Sequence, residues 1–204
     1  MHSLEADSPL ESLREYAESE EIPIIRREME SFIRVLLDIK RPGTILEIGT
    51  GIAYSASFMA ICAPDAHITT IENYPPRIEK AREVITDLGF SERITLIEDD
   101  AAKVLEELSG SYDLIFLDAA KGQYISFLPN IIRLLEPGGI LLADNVLQGG
   151  DLIESRYITQ RRQRTIHERM REFIWQVKHN GELDTSLIPI GDGVTLSVRK
   201  HRTG

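Results

Sequence analysis

The 204-residue sequence contains one cysteine and no long apolar run. A single cysteine, Cys62, excludes an internal disulfide, and its apolar neighbours predict a core residue of a helix. No apolar run approaches the roughly 20 residues that a membrane-spanning helix needs. Residues 1–21 are acidic and polar, unlike a secretory signal, so we expect a cytoplasmic protein.

Positive charge is also scarce. The formal net charge of −10 argues against general affinity for nucleic acid. The exception is residues 155–178, which we call the basic segment, where seven basic residues outnumber two acidic ones. The seven are Arg156, Arg161, Arg162, Arg164, Arg169, Arg171 and Lys178. Charge alone leaves two interpretations open, a docking site and the solvated face of a helix.

The residue sets of several common enzyme classes are missing. No Ser-His-Asp or Cys-His set is recognisable, and the five histidines lack the spacing of metal ligands. His167 lies beside the arginines of the basic segment, which favours a surface position over a catalytic one. These absences argue against nucleophilic catalysis by serine or cysteine.

Apolar runs alternate with helical patterns along most of the chain. Residues 10–40 predict helix, interrupted near Pro23, because proline disfavours a helical residue before it. Strands are predicted at 44–48, 67–71, 94–97, 114–117, 139–143, 185–190 and 194–199. Helices are predicted at 54–62, 76–88, 101–108, 123–135 and 159–178.

This order predicts an α/β fold with a doubly wound, mostly parallel seven-stranded sheet. The last two strands flank Gly191-Asp192-Gly193, which is typical of a hairpin and adds an antiparallel edge. We expect residues 1–204 to form one domain with residues 1–40 as a helical cap. Ligands of such sheets bind beyond the carboxyl ends of the strands.

A cofactor is indicated by Glu47-Ile48-Gly49-Thr50-Gly51, which follows the first strand. Glycines there allow close approach of the backbone, and Glu72 after the second strand can accept hydrogen bonds from a ribose. Tyr54 occupies the place of the third glycine of a dinucleotide motif. S-adenosylmethionine (SAM) therefore suits the motif better than NAD, and a tight turn without a ligand is the remaining alternative. The acid of Asp100-Ala101, past the third strand, adds to the cofactor signal.

A metal site is indicated by two other strand ends. One apolar run ends in Asp118 with Lys121 three residues later, and another ends in Asp144-Asn145. Each acid alone is more typical of a helix cap. Together the three side chains offer the oxygen ligands that suit Mg²⁺ or Mn²⁺, and Lys121 offers a base. The combination predicts a metal-assisted group transfer.

These residues resemble the cation-dependent O-methyltransferases, the group that includes catechol and caffeoyl-CoA methyltransferases. The resemblance is carried by Glu47-x-Gly49, Tyr54-Ser55, Glu72, Asp118-x-x-Lys121 and Ala143-Asp144-Asn145-Val146. It implies a metal held by Asp118, Asp144 and Asn145, with Lys121 and Asp118 catalytic, and a homodimer. The SAM contacts that it implies come from Ile25, Glu47, Gly49, Ser55, Glu72, Asp100, Ala101 and Asp118. Ala53 departs from the family pattern, in which a glycine is usual.

Within that group the chain is most similar to bacterial tRNA 5-hydroxyuridine methyltransferases, which make 5-methoxyuridine at the wobble position. The matching segments include 118–124, 161–164 and 188–193. The resemblance implies that Arg161, Arg162 and Arg164 dock a tRNA anticodon stem-loop through its phosphates. Two alternatives stay open. One is a small-molecule O-methyltransferase for catechols or caffeoyl-CoA-like phenols, and the other is a SAM-binding protein without catalysis.

Overall fold

The computed structural model describes residues 9–147 and 161–201, with the side chains of 161–165 outside that description. The helices are α1 (Pro9–Ser19), α2 (Arg27–Lys40), α3 (Tyr54–Cys62), α4 (Pro75–Asp87), α5 (Ala101–Glu107), α6 (Tyr124–Leu134) and α7 (Arg161–His179). The strands are β1 (Thr44–Ile48), β2 (His67–Glu72), β3 (Ile94–Glu98), β4 (Tyr112–Leu117), β5 (Leu135–Ala143), β6 (Leu183–Ile188) and β7 (Val194–Arg199). A short 3₁₀ turn, Lys121–Gln123, precedes α6.

Seven strands form one sheet in the order β3-β2-β1-β4-β5-β7-β6. Strands β1 to β5 are parallel, whereas β7 runs antiparallel to both β5 and β6. The predicted doubly wound sheet with an antiparallel C-terminal hairpin is therefore confirmed. The chain turns back between β1 and β4, so their carboxyl ends open the crevice in which such sheets bind ligands.

Helices cover both faces of the sheet, which explains the continuous apolar runs of the central strands, 114–117 in β4 and 140–143 in β5. Along β4, Leu114 and Phe116 belong to a core shared with helices α1 to α4. Ile115 and Leu117 point the other way, into a core shared with α5, α6 and α7. The polar residues that follow the strands belong to neither of these two apolar cores.

Most predicted boundaries agree with the structure to within two residues, and β5 is the main exception. It begins at Leu135, four residues before its predicted start, and includes Pro137-Gly138-Gly139. The pairing of β5 with β4 shifts register between Tyr112 and Leu114, opposite these residues. Pro137 and the glycines therefore lie within the strand, at an irregularity in its pairing, and not before it as predicted.

The two N-terminal helices pack over α3. Leu10 and Ala17 of α1 and Ile33 of α2 are almost fully buried in the core beneath them. Between the helices, residues 20–26 form a non-helical linker around Pro23, as predicted. Within the described residues no helix has both the length and the apolarity needed to cross a membrane.

Candidate active site

The turn after β1 begins at a position that only glycine fits. Gly49 has a φ of 104°, and a Cβ placed on it would lie 2.1 Å from the carbonyl oxygen of Asp118. The amides of Gly49 and Thr50 both donate to the carbonyl of Ile71, which anchors the turn to β2. Ala53 is left-handed with a φ of 63°, a conformation that favours the glycine usual in the resembled family.

A cavity of about 550 Å³ lies at the carboxyl ends of β1 and β4. It brings together nine of the residues predicted to form the site: Ile25, Gly49, Ser55, Glu72, Asp100, Ala101, Asp118, Asp144 and Asn145. The cavity is also lined by residues that the sequence did not single out, among them Arg26, Arg77 and Asp192. Two predicted residues, Glu47 and Lys121, are not part of its lining.

Glu72 and Asp100 are held at one side of the cavity by backbone amides. The carboxylate of Glu72 accepts from the amides of Gly51, Asn73 and Tyr74, each at 3.0 Å. Asp100 caps α5 by accepting from the amide of Ala102 at 2.9 Å. Both carboxylates keep lone pairs for a ligand, so the cap and the predicted cofactor contact are compatible.

Glu47 lies beneath the cavity, fully buried. Its two carboxylate oxygens accept from the hydroxyls of Ser55 and Thr70, each at 2.5 Å. Burial raises the pKa of Glu47 to about 8, although both hydroxyl hydrogen bonds oppose the shift. Its direct contact with a cofactor stays a prediction. In the structure Glu47 supports Ser55, which does line the cavity.

Asp118, Asp144 and Asn145 converge from neighbouring strands. The amide of Asp118 donates to Ile48 and the amide of Asp144 donates to Leu117, so each turn is tied to the strand beside it. Asn145 is left-handed with a φ of 57°, and its side-chain Nδ2 lies 3.2 Å from Oδ1 of Asp118. The Asp144 carboxylate accepts from the Asn145 amide at 2.6 Å.

The two carboxylates repel each other in a buried setting. Burial is the main cause that raises the pKa of Asp144 to about 7, and the charge of Asp118 adds to it. Burial also raises the pKa of Asp118. A cation between these groups would relieve both effects, and carboxylate and amide oxygens are the ligands that Mg²⁺ and Mn²⁺ prefer. Turning the Asn145 amide about its terminal bond would present oxygen where Nδ2 now lies. The residues therefore fit a divalent cation.

Lys121 lies in the 3₁₀ turn, near both carboxylates. Burial lowers the pKa of Lys121, against the opposing pull of Asp192, Asp118 and Asp144. The sequence analysis missed Asp192 as a site residue, although its hairpin motif was recognised. Asp192 accepts from Arg26 at 2.9 Å, which joins the hairpin to the linker between α1 and α2.

Part of the basic segment lies outside the described residues. Arg161, Arg162 and Arg164 begin α7, but their side chains are outside the description, and so is all of 148–160. Arg169 of the same helix donates to the carbonyl of Gly122 at 3.1 Å, so α7 packs beside the Lys121 turn. The surface position expected of His167 is wrong, because only 4% of it is exposed. The periodicity of α7, in which Met170 and Phe173 are also buried, places it on the inner face.

Comparisons with known proteins agree with this geometry. A family model described as O-methyltransferase matches residues 1–200. The chain belongs to the O-methyltransferase family. It is 32% identical over 183 residues to a caffeoyl-CoA O-methyltransferase of Citrus natsudaidai, covering 82% of this chain and 76% of that protein. It is 31% identical over 173 residues to the tapetum-specific methyltransferase 1 of Arabidopsis thaliana, covering 82% and 74%.

Solved structures give the same family. A Staphylococcus aureus protein provisionally described as a caffeoyl-CoA O-methyltransferase superposes with a TM-score of 0.89 at 31% identity, covering 95% of this chain and 93% of that one. The SAH-bound Podospora anserina methyltransferase PaMTH1 gives 0.85 at 29% identity, covering 94% and 88%. The predicted enzyme class, a SAM-dependent O-methyltransferase, is thereby confirmed. The cavity of this O-methyltransferase also fits SAM, because donors and acceptors line a pocket with an opening beyond the strand ends.

Proposed function

We propose that this O-methyltransferase uses a divalent cation to methylate one hydroxyl of a small phenol that carries two neighbouring oxygens, such as a catechol or a caffeoyl-CoA-like ester. The observation that carries the proposal is the convergence of Asp118, Asp144 and Asn145 at the cavity that holds Glu72. An acceptor with two neighbouring oxygens would suit a cation held by these side chains. The name of the Citrus relative, a caffeoyl-CoA O-methyltransferase, supports a phenolic acceptor.

When bound, SAM supplies a methyl group on a positively charged sulfur, and a divalent cation supplies the charge that makes a neighbouring acceptor hydroxyl more acidic. Glu72 binds the ribose hydroxyls of the cofactor through its free lone pairs. Asp118, Asp144 and Asn145 would hold the cation, and they would thereby orient the acceptor.

Lys121 does not line the cavity, but its charge interacts with those of Asp118 and Asp144, which do, and in this proposal its Nζ takes the proton of the acceptor hydroxyl. Burial favours the neutral amine, which is the form that can accept a proton. Gly49 keeps the cofactor turn in contact with the Asp118 backbone, so the methyl donor and the acceptor are held in one crevice. Positioning of this kind accounts for much of the acceleration that two-substrate enzymes achieve.

An acceptor panel tests the proposal. The purified enzyme with labelled SAM and Mg²⁺ is given 3,4-dihydroxyphenyl compounds, free and as thioesters, and their 4-hydroxy counterparts. We expect transfer to the dihydroxy compounds and at least about a hundredfold less to the monohydroxy ones, because the second oxygen is missing. Equal transfer to both classes would rule out an acceptor that bridges through two oxygens.

A tRNA carrying 5-hydroxyuridine is the second candidate acceptor. Its support is the excess of arginine in the basic segment of an otherwise acidic chain, together with the contact between Arg169 and Gly122. That contact brings the described part of α7 to the turn that carries Lys121. The 5-hydroxyl and the neighbouring carbonyl oxygen of this uridine also offer two adjacent oxygens.

Triple replacement of Arg161, Arg162 and Arg164 by alanine separates the two candidates. For a tRNA acceptor we expect weaker tRNA binding with a flatter salt dependence and unchanged SAM affinity. Unchanged methylation of both tRNA and phenols by this variant would contradict the docking role. Efficient transfer to tRNA with none to any phenol would make tRNA the acceptor.

A further inference from the structure

Arg14 is a buried cation in α1, and the sequence analysis gave it no role. Its side chain is 6% exposed and donates in three directions. Nε donates to the hydroxyl of Tyr54 at 3.1 Å, and Nη2 donates to the carbonyl of Ile25 at 3.0 Å. Nη2 also donates to the carboxylate of Glu30 on α2. One guanidinium therefore joins α1, the linker, α2 and the start of α3.

Two of these partners line the cavity. Ile25 is one of the linker residues at the cavity wall, and Tyr54 is the first residue of α3, directly after the turn that follows β1. The hydroxyl of Tyr54 donates in turn to Glu30 at 2.6 Å, and the Arg14 guanidinium lies 4.8 Å from the Tyr54 ring centre. Arg14, Tyr54 and Glu30 therefore form a closed ring of hydrogen bonds, so moving one of them disturbs the other two.

We infer that Arg14 is a positioning residue for the cofactor cavity, holding the Ile25 carbonyl and Tyr54 so that the linker and the start of α3 form one wall. This inference rests on the proposed assignment of the cavity to SAM. Apolar packing of Ile25 and Tyr54 in the core also holds this wall, and Ser55 ties the start of α3 to Glu47. Arg26 pairs with Asp192 across the cavity, but its side chain is 59% exposed.

A purely structural role is the alternative, because Arg14 also pairs α1 with α2. The chain offers a matched control for that role. Arg27 of α2 pairs with Glu11 of α1 and contacts neither Ile25 nor Tyr54 in the hydrogen bonds of the described residues. If joining α1 to α2 were all that mattered, replacing either arginine would have similar effects.

The test compares Arg14→Lys with Arg27→Lys in the full chain. Lysine keeps the positive charge beside Glu30, so we expect the variant to fold. Its ammonium group lacks the planar guanidinium that donates to three acceptors at once. Calorimetric titration with S-adenosylhomocysteine (SAH) should show a dissociation constant raised about tenfold in Arg14→Lys, the size typical of a lost orienting contact. The constant of Arg27→Lys should stay within about twofold of wild type.

Two further readouts separate positioning from general loosening. Amide hydrogen exchange in residues 20–26 should quicken at least about tenfold in Arg14→Lys, with strand β4 unchanged. The kcat at saturating SAM should fall less than about twofold while the KM for SAM rises about tenfold.

A double variant, Arg14→Met with Glu30→Met, removes the charge pair without leaving either charge buried alone. Its dissociation constant for SAH should be raised as in Arg14→Lys.

Wild-type affinity for SAH in both Arg14→Lys and the double variant would overturn the inference. Equal weakening in the Arg14 and Arg27 variants would also overturn it, in favour of a structural role. Failure of the unmodified chain to bind SAH at all would instead overturn the assignment of the cavity, and the inference with it.

Discussion

Gly49 and Asp118 are in contact through their backbones. A Cβ on residue 49 would lie 2.1 Å from the Asp118 carbonyl oxygen and 2.8 Å from its carbonyl carbon, both rigid backbone atoms. The contact joins the turn after β1, which lines the cavity, to the turn after β4, which carries the first candidate metal ligand. The two turns therefore share one fixed boundary at the cavity.

Gly49→Ala tests that boundary. The new methyl group would have to displace the backbone of Asp118, and the φ of 104° is strained for alanine. We expect a loss of about 3 kcal/mol or more in the free energy of unfolding. Gly51→Ala is the control, because its φ of 55° carries strain without any atom within 4 Å, and it should cost about 1–2 kcal/mol. Urea unfolding measures both, and equal losses would contradict the contact.

Glu47→Gln tests the buried carboxyl beneath the cavity. The folded pKa of Glu47 is about 8 against an ordinary value of 4.5. Between these values the folded chain keeps a proton that the unfolded chain releases, so wild-type stability falls as pH rises from about 4.5 to about 8. The variant lacks this contribution. Urea unfolding at several pH values should show it gaining on wild type by at least about 1 kcal/mol across the window. A difference that does not change with pH would contradict the shift.

Asp144→Asn tests the cation site through thermal stability, independently of turnover. Near-saturating Mg²⁺ or Mn²⁺ should raise the thermal midpoint of wild type by about 5 °C, since binding to the folded state alone stabilises it. Asp144→Asn should lose most of this rise, and it should be more stable than wild type without metal because Asp118 loses a repelling neighbour. Asp184→Asn, on an exposed carboxylate, should respond to metal as wild type does. A full metal response in Asp144→Asn would remove this residue from the ligand set.

Lys121→Ala tests the base. Turnover should fall by about 10² or more, the usual contribution of a positioned base, with SAH affinity changed less than about threefold. Lys200→Ala, which removes an exposed amine paired with Asp184, should leave both quantities near wild type. Steady-state kinetics and calorimetry give the two numbers. A large loss of SAH affinity in Lys121→Ala would make the lysine structural.

The strand ends of this fold are readable from sequence for a physical reason. A parallel strand buried on both faces is an uninterrupted apolar run, so the first acid after it marks the carboxyl edge of the sheet. That rule located Asp118 and Asp144, and both line the cavity. It does not give the start of a strand, and the start of β5 was mispredicted because Pro137-Gly138-Gly139 lies within the strand, where its pairing with β4 is irregular.

Contacts between distant residues were not predictable in the same way. Arg14 lies 11, 16 and 40 residues from its partners Ile25, Glu30 and Tyr54. The helical spacing of Leu10, Leu13 and Ala17 places Arg14 on the apolar face of α1, but it does not reveal the distant residues that pair with it. His167 misled the sequence analysis for a related reason, since the charge of its neighbours outweighed its position on the inner face of α7. Glu47 was recognised, but its place below the cavity floor depends on Thr70 of the adjacent strand.

The most direct measurement is methyl transfer from labelled SAM to a 3,4-dihydroxyphenyl acceptor after chelation, and again after Mg²⁺ or Mn²⁺ is restored. Wild type should lose turnover on chelation and regain it with either ion, while SAH binding persists throughout. Asp144→Asn should stay inactive under both conditions. Full turnover after rigorous chelation would contradict the account, because Asp118, Asp144 and Asn145 would then have no cation to hold.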